Sequence, residues 1–384
     1  MEGLGAVVDG SGSPSVGRSA EGTFSYFVAP DYSFFGFIWI LDFFLHFFWI
    51  FFFFWSRVSS PAWNMCRWVA YIGPKVPLSH LITRPKNGIV QQAVDNVAYT
   101  PGLPTNNQRN HAVNADGFGI SFYDSNNNPH TYRSTKPAWS DTNLSTLCNN
   151  IDSHLVLAHV RAASPGLAVQ EVNCHPFSFQ NLTFMHNGGV GGFKHMKRPL
   201  SEMFANEIWH SIQGSTDSEY CFGLFLTHLN LFGKNNNNLN NKTDFLAATS
   251  KEHCEEALRK TIESLIDLQQ KYGDTNDANE QSASMNFCVS NGSSIVASRM
   301  RRPVDDDSCS LFLGTGQNFN FSQEENKFRF EANEDGSAGN EQEQRVAIIS
   351  SEPLTLVTED WAVVPEETLL VVDERGEVKM SSLL

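Results

Sequence analysis

Cys66 follows Met65 directly, so removal of Met65 would place a cysteine at the chain terminus. A terminal cysteine carries a thiol and an α-amine on one residue. The thiolate is a nucleophile. The amine, with an unperturbed pKa of about 7.7–8.0, can take the thiol proton and later return it to a leaving amine. An amide nitrogen cannot, because its lone pair is delocalised into the carbonyl. With residues 1–65 attached, Cys66 keeps its thiol and loses this base. A lone cysteine is most often a small buried hydrophobe. Its place behind Met65 is what singles Cys66 out.

Four downstream segments hold further polar residues. They are Ala158-His159-Val160-Arg161-Ala162, Asn173-Cys174-His175-Pro176-Phe177, Phe184-Met185-His186-Asn187-Gly188-Gly189 and Ser215-Thr216-Asp217-Ser218-Glu219. Each has a plain reading when taken alone. Arg161 reads as a surface or structural ion pair. Asn187-Gly188 after an apolar run reads as a hairpin turn. Asp217 reads as a helix N-cap, given Glu219 and the helical spacing beyond it. His175 reads as structural, since a terminal cysteine already supplies a base. Asn114-Ala115-Asp116-Gly117-Phe118-Gly119 lacks the dinucleotide pattern and reads as a tight turn into a strand.

Elements must position these residues. Strands are expected over Arg67–Ile72, Gly117–Tyr123, Leu155–Val160 and Leu182–His186, with a turn at Asp124–Pro129. A short amphipathic stretch is expected near Leu78–Ile82. Helical spacing marks Thr216–Leu231 and Cys254–Tyr272. More strands are expected at Met285–Val289, Ser294–Ser298, Ser310–Leu313, Val346–Ser350, Trp361–Val364 and Thr368–Val372. Asn235–Asn241 and the acidic Ser322–Gln344 read as solvent loops or inserts. Helices set between blocks of strands favour stacked sheets with helices outside over alternating βαβ units. No linker divides residues 65–384, which read as one domain.

Composition excludes several partners. The net charge of −15 argues against nucleic acid, which needs clustered Lys and Arg. The densest basic spot, Arg299, Arg301 and Arg302, runs into Asp305-Asp306-Asp307 and reads as a solvated loop. Seven cysteines at irregular spacing, with no C-x-x-C, point to no metal centre and to thiols in a reducing compartment. Eleven of the 30 Phe fall between Phe34 and Phe54, so residues 1–64 form a separate leader with a Phe-rich hydrophobic segment. That segment could span a bilayer, but it carries Asp42, which costs about 2.5–3.5 kcal/mol at a membrane centre. Initiation at Met65 is the expected reading, with a membrane anchor as the alternative. Both put the chemistry in the cytoplasm, the second because Arg57, Arg67 and Lys75 follow the segment.

Taken together, the motifs resemble the class II glutamine amidotransferases. Within them they are most similar to the Dug-type amidotransferase-like proteins of glutathione degradation. Met65-Cys66-Arg67, Leu78–Pro85, Asn114–Gly119, Pro137-Ala138-Trp139, the four segments above and Ser351-Glu352-Pro353-Leu354 occur in the family's order. The resemblance spans nearly all of residues 65–384. It implies an α+β fold, the four-layer αββα sandwich of the N-terminal-nucleophile hydrolases, and no cofactor. It implies Cys66 as nucleophile and Asn187 with Gly188 as oxyanion hole. Arg161 would hold the substrate α-carboxylate and Asp217 the α-ammonium, with His175 near the substrate pocket. The expected activity is hydrolysis of a γ-glutamyl amide, glutamine or glutathione, with a metallopeptidase-like protein as partner. The alternatives are a glutaminase subunit supplying ammonia, and a non-catalytic scaffold if Cys66 stays blocked.

Overall fold

The computed structural model describes residues 66–94, 113–164, 166–229, 248–274, 276–277, 280–303, 309–322, 327–331 and 344–383. The leader, the Asn-rich run and the acidic triplet 305–307 lie outside the described residues. Sixteen strands are described, most of them in two sheets. The first sheet holds β1 (Arg67–Pro77), β2 (Phe118–Tyr123), β3 (Pro129–Ser134), β4 (Asp152–Val160), β10 (Phe312–Gly316), β13 (Val346–Ser350) and β14 (Ala362–Val363). Their spatial order is β14-β10-β13-β1-β4-β2-β3, and neighbouring strands pair antiparallel. The second holds β5 (Phe177–Phe179), β6 (Leu182–Val190), β7 (Ala283–Ser290), β8 (Ile295–Arg299), β15 (Thr368–Val372) and β16 (Val378–Ser382), with β9 (Arg301–Arg302) beside β7.

The expected four-layer αββα sandwich is what forms, and side-chain alternation explains it. Along β1, Trp68, Ala70 and Ile72 point to the second sheet, while Val69 and Tyr71 point outward. Along β6, Met185 points to the first sheet and Phe184 outward. The inner faces of both sheets form a dry layer that includes Leu155, Leu157, Cys288, Ala297, Ile349 and Leu370. Central strands are covered on both faces, so β13 reads Val-Ala-Ile-Ile-Ser with all five residues buried.

Seven helices matter for these layers. Outside the first sheet lie α1 (Ser79–Ile82), α2 (Ile89–Val94) and α3 (Thr142–Asn150). Outside the second lie α4 (Phe193–Ser201), α5 (Asn206–Ser211), α6 (Asp217–His228) and α7 (Lys251–Tyr272). Three are capped by a side chain. Asp141 accepts from Leu144 N–H, Thr216 from Glu219 N–H and Ser250 from His253 N–H.

Three expectations need correction. Asn187-Gly188 is no hairpin turn; both residues lie inside β6, and the turn falls after Val190. The segment Ser322–Gln344 is not wholly loop, since β11 (Asn318–Ser322) and β12 (Lys327–Glu331) form a hairpin. Alternating Phe residues drive it. Phe319, Phe328 and Phe330 are buried against the first sheet's outer layer, where Phe330 meets Trp361. The acidic bias of the surrounding sequence hid that alternation. The third correction concerns the arginine run, which is not a solvated loop. Arg299 ends β8, donates to Cys309 O and Val364 O and lies 3.7 Å from Glu366, while Arg302 lies 3.7 Å from Glu367.

Phe319 is fully buried and stacks on Phe328 at 5.6 Å. Phe319→Ala should therefore cost about 3–5 kcal/mol, read from urea unfolding. A loss below about 1 kcal/mol would mean that the hairpin does not pack on the sheet.

Candidate active site

The β1–β4 ladder assembles the first half of the site. Its register pairs Arg67 with Val160, which sets Cys66 beside the residues that follow β4. Ala162 N–H points to Cys66 Sγ at 3.3 Å, and Sγ lies 3.5 Å from Ala162 O. Cys66 is 8% exposed. Burial pushes its thiol up to about 11, against the opposing pull of the Ala162 N–H and of Arg161 and Arg67.

Arg161 is 3% exposed. Its backbone is fixed by bonds to Gly117 O and from Asp116 N–H, and its guanidinium donates to Ala168 O at 3.4 Å. Among the described residues no carboxylate comes within ion-pair distance of it. The expectation of a structural ion pair is not met there. The neighbouring Arg67 differs. Its Nε meets Glu352 Oε1 at 2.7 Å, both side chains are buried, and it also donates to Cys66 O at 3.1 Å.

The second half comes from β6. β5 is short and pairs only with Leu182–Phe184, so beyond Phe184 one edge of β6 has no neighbouring strand among the described residues. Residues 186, 188 and 190 face that edge by alternation. His186 O accepts from His159 Nε2 at 3.1 Å, and Val190 N–H donates to Asp217 Oδ2 at 2.8 Å. The Gly188 N–H faces the same edge between them, and Gly188 is exposed. Only glycine fits here. Its φ is +144°, and a Cβ would stand 1.9 Å from Ser284 O. The Asn187 side chain projects from the opposite face, toward the first sheet. It is 1% exposed, its Nδ2 lies 3.4 Å from Ser351 Oγ, and its Oδ1 has no hydrogen-bond partner.

Asp217 is the first residue of α6, and Thr216 before it is the N-cap, so the cap reading of Asp217 is shifted by one residue. Asp217 Oδ1 also accepts Ser218 N–H at 2.8 Å. Four lone-pair sites on a carboxylate leave room for a further cation. His186 braces this helix start. Its Nε2 donates to Ser284 O at 2.8 Å, so its Nδ1 accepts from Ser218 Oγ at 2.9 Å. Glu219, whose carboxylate accepts Gln213 and Gly214 N–H groups, is raised by burial.

His175 packs against His159, two residues before Arg161. It is 4% exposed, its ring stands 4.2 Å from that of His159 and 4.5 Å from that of Phe177, and neither ring nitrogen has a partner. Burial holds His159 down to about 3, His175 well below the usual imidazole range, and His186 below it despite the opposing pull of Asp217.

The structure thus brings Cys66 and Arg161 together through one ladder, and Asn187, Gly188 and Asp217 through one strand end and the helix beside it. Ser351 spans the two groups, because Trp68 N–H donates to the same Oγ at 3.0 Å. Sequence reasoning singled out Ser351-Glu352-Pro353-Leu354 without giving it a role. Its signal was its place in the family's motif order.

Comparison with known proteins bears on this arrangement. Residues 101–383 match the family model described as glutamine amidotransferases class-II. That match begins after Cys66. The chain is 34% identical over 317 residues to the probable glutamine amidotransferase DUG3 of Saccharomyces cerevisiae, covering 81% of this chain and 82% of that one. It is 32% identical over 126 residues to the gamma-glutamyl-hercynylcysteine sulfoxide hydrolase of Mycobacterium tuberculosis, covering 33% of this chain and 50% of that one. Among solved structures it is similar to a glutamine aminotransferase class-II domain protein from Silicibacter pomeroyi. There the identity is 24% and the TM-score 0.49, over 83% of this chain and all of the other. Among the described residues no helix is long and apolar enough to cross a membrane.

The buried histidines set an acid limit. Their folded pKa values lie below the unfolded value of about 6.5, so below that pH the unfolded chain binds protons that the native one does not. Stability should fall as pH drops from about 6.5, by up to about 1.4 kcal/mol per pH unit for each histidine. For His159 the loss continues toward its folded value of about 3. Urea midpoints from pH 7 to pH 5 should decrease, and less steeply in His159→Gln. Equal slopes in both proteins would show that His159 titrates normally in the fold.

Proposed function

Since the chain belongs to the class II glutamine amidotransferases, we propose that it hydrolyses γ-glutamyl amides with Cys66 as nucleophile. The observation that carries this reading is Arg161. An arginine only 3% exposed, beside a thiol and with no carboxylate within ion-pair distance among the described residues, is costly to keep unless an anion arrives. A substrate α-carboxylate meets that need, and the planar fork can bind it through two bonds. Asp217, half-buried at the start of α6, would take the α-ammonium. His175 completes the wall of the same pocket.

The raised thiol pKa bears on the mechanism. At about 11, roughly one thiol in 10⁴ is ionised at pH 7, so attack needs a base. The strongest charges acting on Cys66, Arg161 and Arg67, are cations that cannot serve. A free α-amine on Cys66 can. It takes the proton as Sγ attacks the γ-carbonyl, the tetrahedral oxygen binds to Asn187 and the Gly188 N–H, and the amine then protonates the leaving group. Water hydrolyses the γ-glutamyl thioester and frees glutamate.

Glutamine and glutathione share the γ-glutamyl half and differ in the leaving group, ammonia against cysteinylglycine. Arg161 and Asp217 address only the shared half. One relative is named as an amidotransferase and another as a γ-glutamyl hydrolase. Both names fit attack at this bond. We place the chain in glutathione breakdown, in the cytoplasm, with a metallopeptidase-like partner that supplies contacts to the dipeptide side.

Two measurements test the reading. Protein beginning at Cys66 should release glutamate from glutamine, and from glutathione once the partner is added, and should be labelled by a glutamine-like diazoketone. The form retaining residues 1–65 should do none of these, and equal labelling of both forms would remove the terminal-amine mechanism. Arg161→Lys keeps the charge but loses the fork, so KM should rise with a loss of about 1.5–3 kcal/mol. Unchanged kinetics would assign Arg161 to the fold alone.

A further inference from the structure

Ser351 lies just beyond β13, opposite Trp68, and is fully buried. Its N–H donates to Trp68 O at 2.9 Å, and its carbonyl accepts from Ser310 Oγ at 2.8 Å. Its hydroxyl oxygen accepts from Trp68 N–H at 3.0 Å and faces the Asn187 carboxamide across the sheets at 3.4 Å. A hydroxyl has one donor and two acceptor sites. With the amide nitrogen turned to it, Ser351 Oγ accepts twice, and its own O–H has no acceptor among these contacts. Asn187 Oδ1, buried on the other side, then also has no partner.

Two unmet groups in one buried contact would be costly. A half-turn of the carboxamide exchanges oxygen and nitrogen, which are nearly equal in size. It pairs both of these groups and leaves the amide N–H2, in place of Oδ1, without a protein partner. Ser351 O–H then donates to Asn187 Oδ1, Ser351 Oγ accepts only from Trp68, and the amide N–H2 takes the side where Oδ1 had no partner.

We propose that Ser351 is a positioning residue that sets the direction of the Asn187 amide, holding Oδ1 so that the N–H2 group faces the reacting carbonyl. This rests on the oxyanion role given to Asn187 above. The opposite orientation would aim an acceptor at an oxygen gaining negative charge, which repels it. The device also joins the two halves of the site. Ser351 is held by the backbone of Trp68, two residues from Cys66, so the donor is fixed against the strand that carries the thiol.

A double-mutant cycle on protein beginning at Cys66, assayed with glutamine, tests this. Asn187→Ala should lower kcat by about 10²–10³-fold. Ser351→Ala should lower kcat by about 10- to 100-fold with KM within about 2-fold, and Ser351→Thr, which keeps the hydroxyl, should recover most of it. In the double variant, Ser351→Ala should add less than about 3-fold to the Asn187→Ala loss. Fully additive losses would show that Ser351 serves only the strand, and overturn its role alone. Unchanged kcat in Asn187→Ala would overturn the oxyanion reading and this proposal with it. If Ser351→Ala does not fold, Ser351→Cys, close in volume and a weaker donor, takes its place under the same criterion.

Discussion

The antiparallel register between β1 and β4 is the constraint on which the site depends. From Trp68 to Ile72, every second residue of β1 is committed to the inter-sheet layer, so a slip by one would drive Trp68, Ala70 and Ile72 outward and Val69 and Tyr71 inward. The same register fixes Arg67 opposite Val160. From that pairing alone, Cys66 must lie beside Arg161 and Ala162. Packing of the core and placement of the thiol are therefore one requirement, and neither can be met without the other.

Two buried arginines flank Cys66 and are treated differently. Arg67 is neutralised within the fold by Glu352 and also holds the Cys66 carbonyl. It stiffens the strand end. Among the described residues, the Arg161 guanidinium has only a carbonyl contact at 3.4 Å. The contrast separates a cation neutralised within the fold from one that we propose meets a bound anion. It could not be read from composition, because both are single arginines in apolar surroundings.

The sequence carried much of the fold. Long apolar runs placed β1, β4, β6 and β13, and helical spacing placed α6 and α7, because burial on both faces or on one stripe leaves a direct trace. The trace failed in particular places. The β11–β12 hairpin depends on three buried Phe residues inside a polar, acidic stretch, and local polarity masked them. Arg299 and Arg302 looked solvated because their partners, Glu366 and Glu367, lie more than 60 residues away. Asn187-Gly188 matched a turn signal, yet its glycine answers to the close approach of Ser284 across the ladder. At the site, the motif order named the residues that the fold brings together. Ser351 and His186 were missed as supports, because a residue that acts through another has no spacing rule of its own.

Burial of Cys66 has a consequence beyond turnover. Peroxide and other oxidants react with thiolates far faster than with thiols. A sulfur held protonated by its apolar surroundings is a poor target for them, and only a base brought close enough to take its proton exposes it. The burial that keeps the sulfur protonated also spares it from conversion to sulfinic or sulfonic acid, forms from which it would not return. Chemical durability and latency then have one physical origin, a protection that the pH dependence of inactivation by peroxide reports.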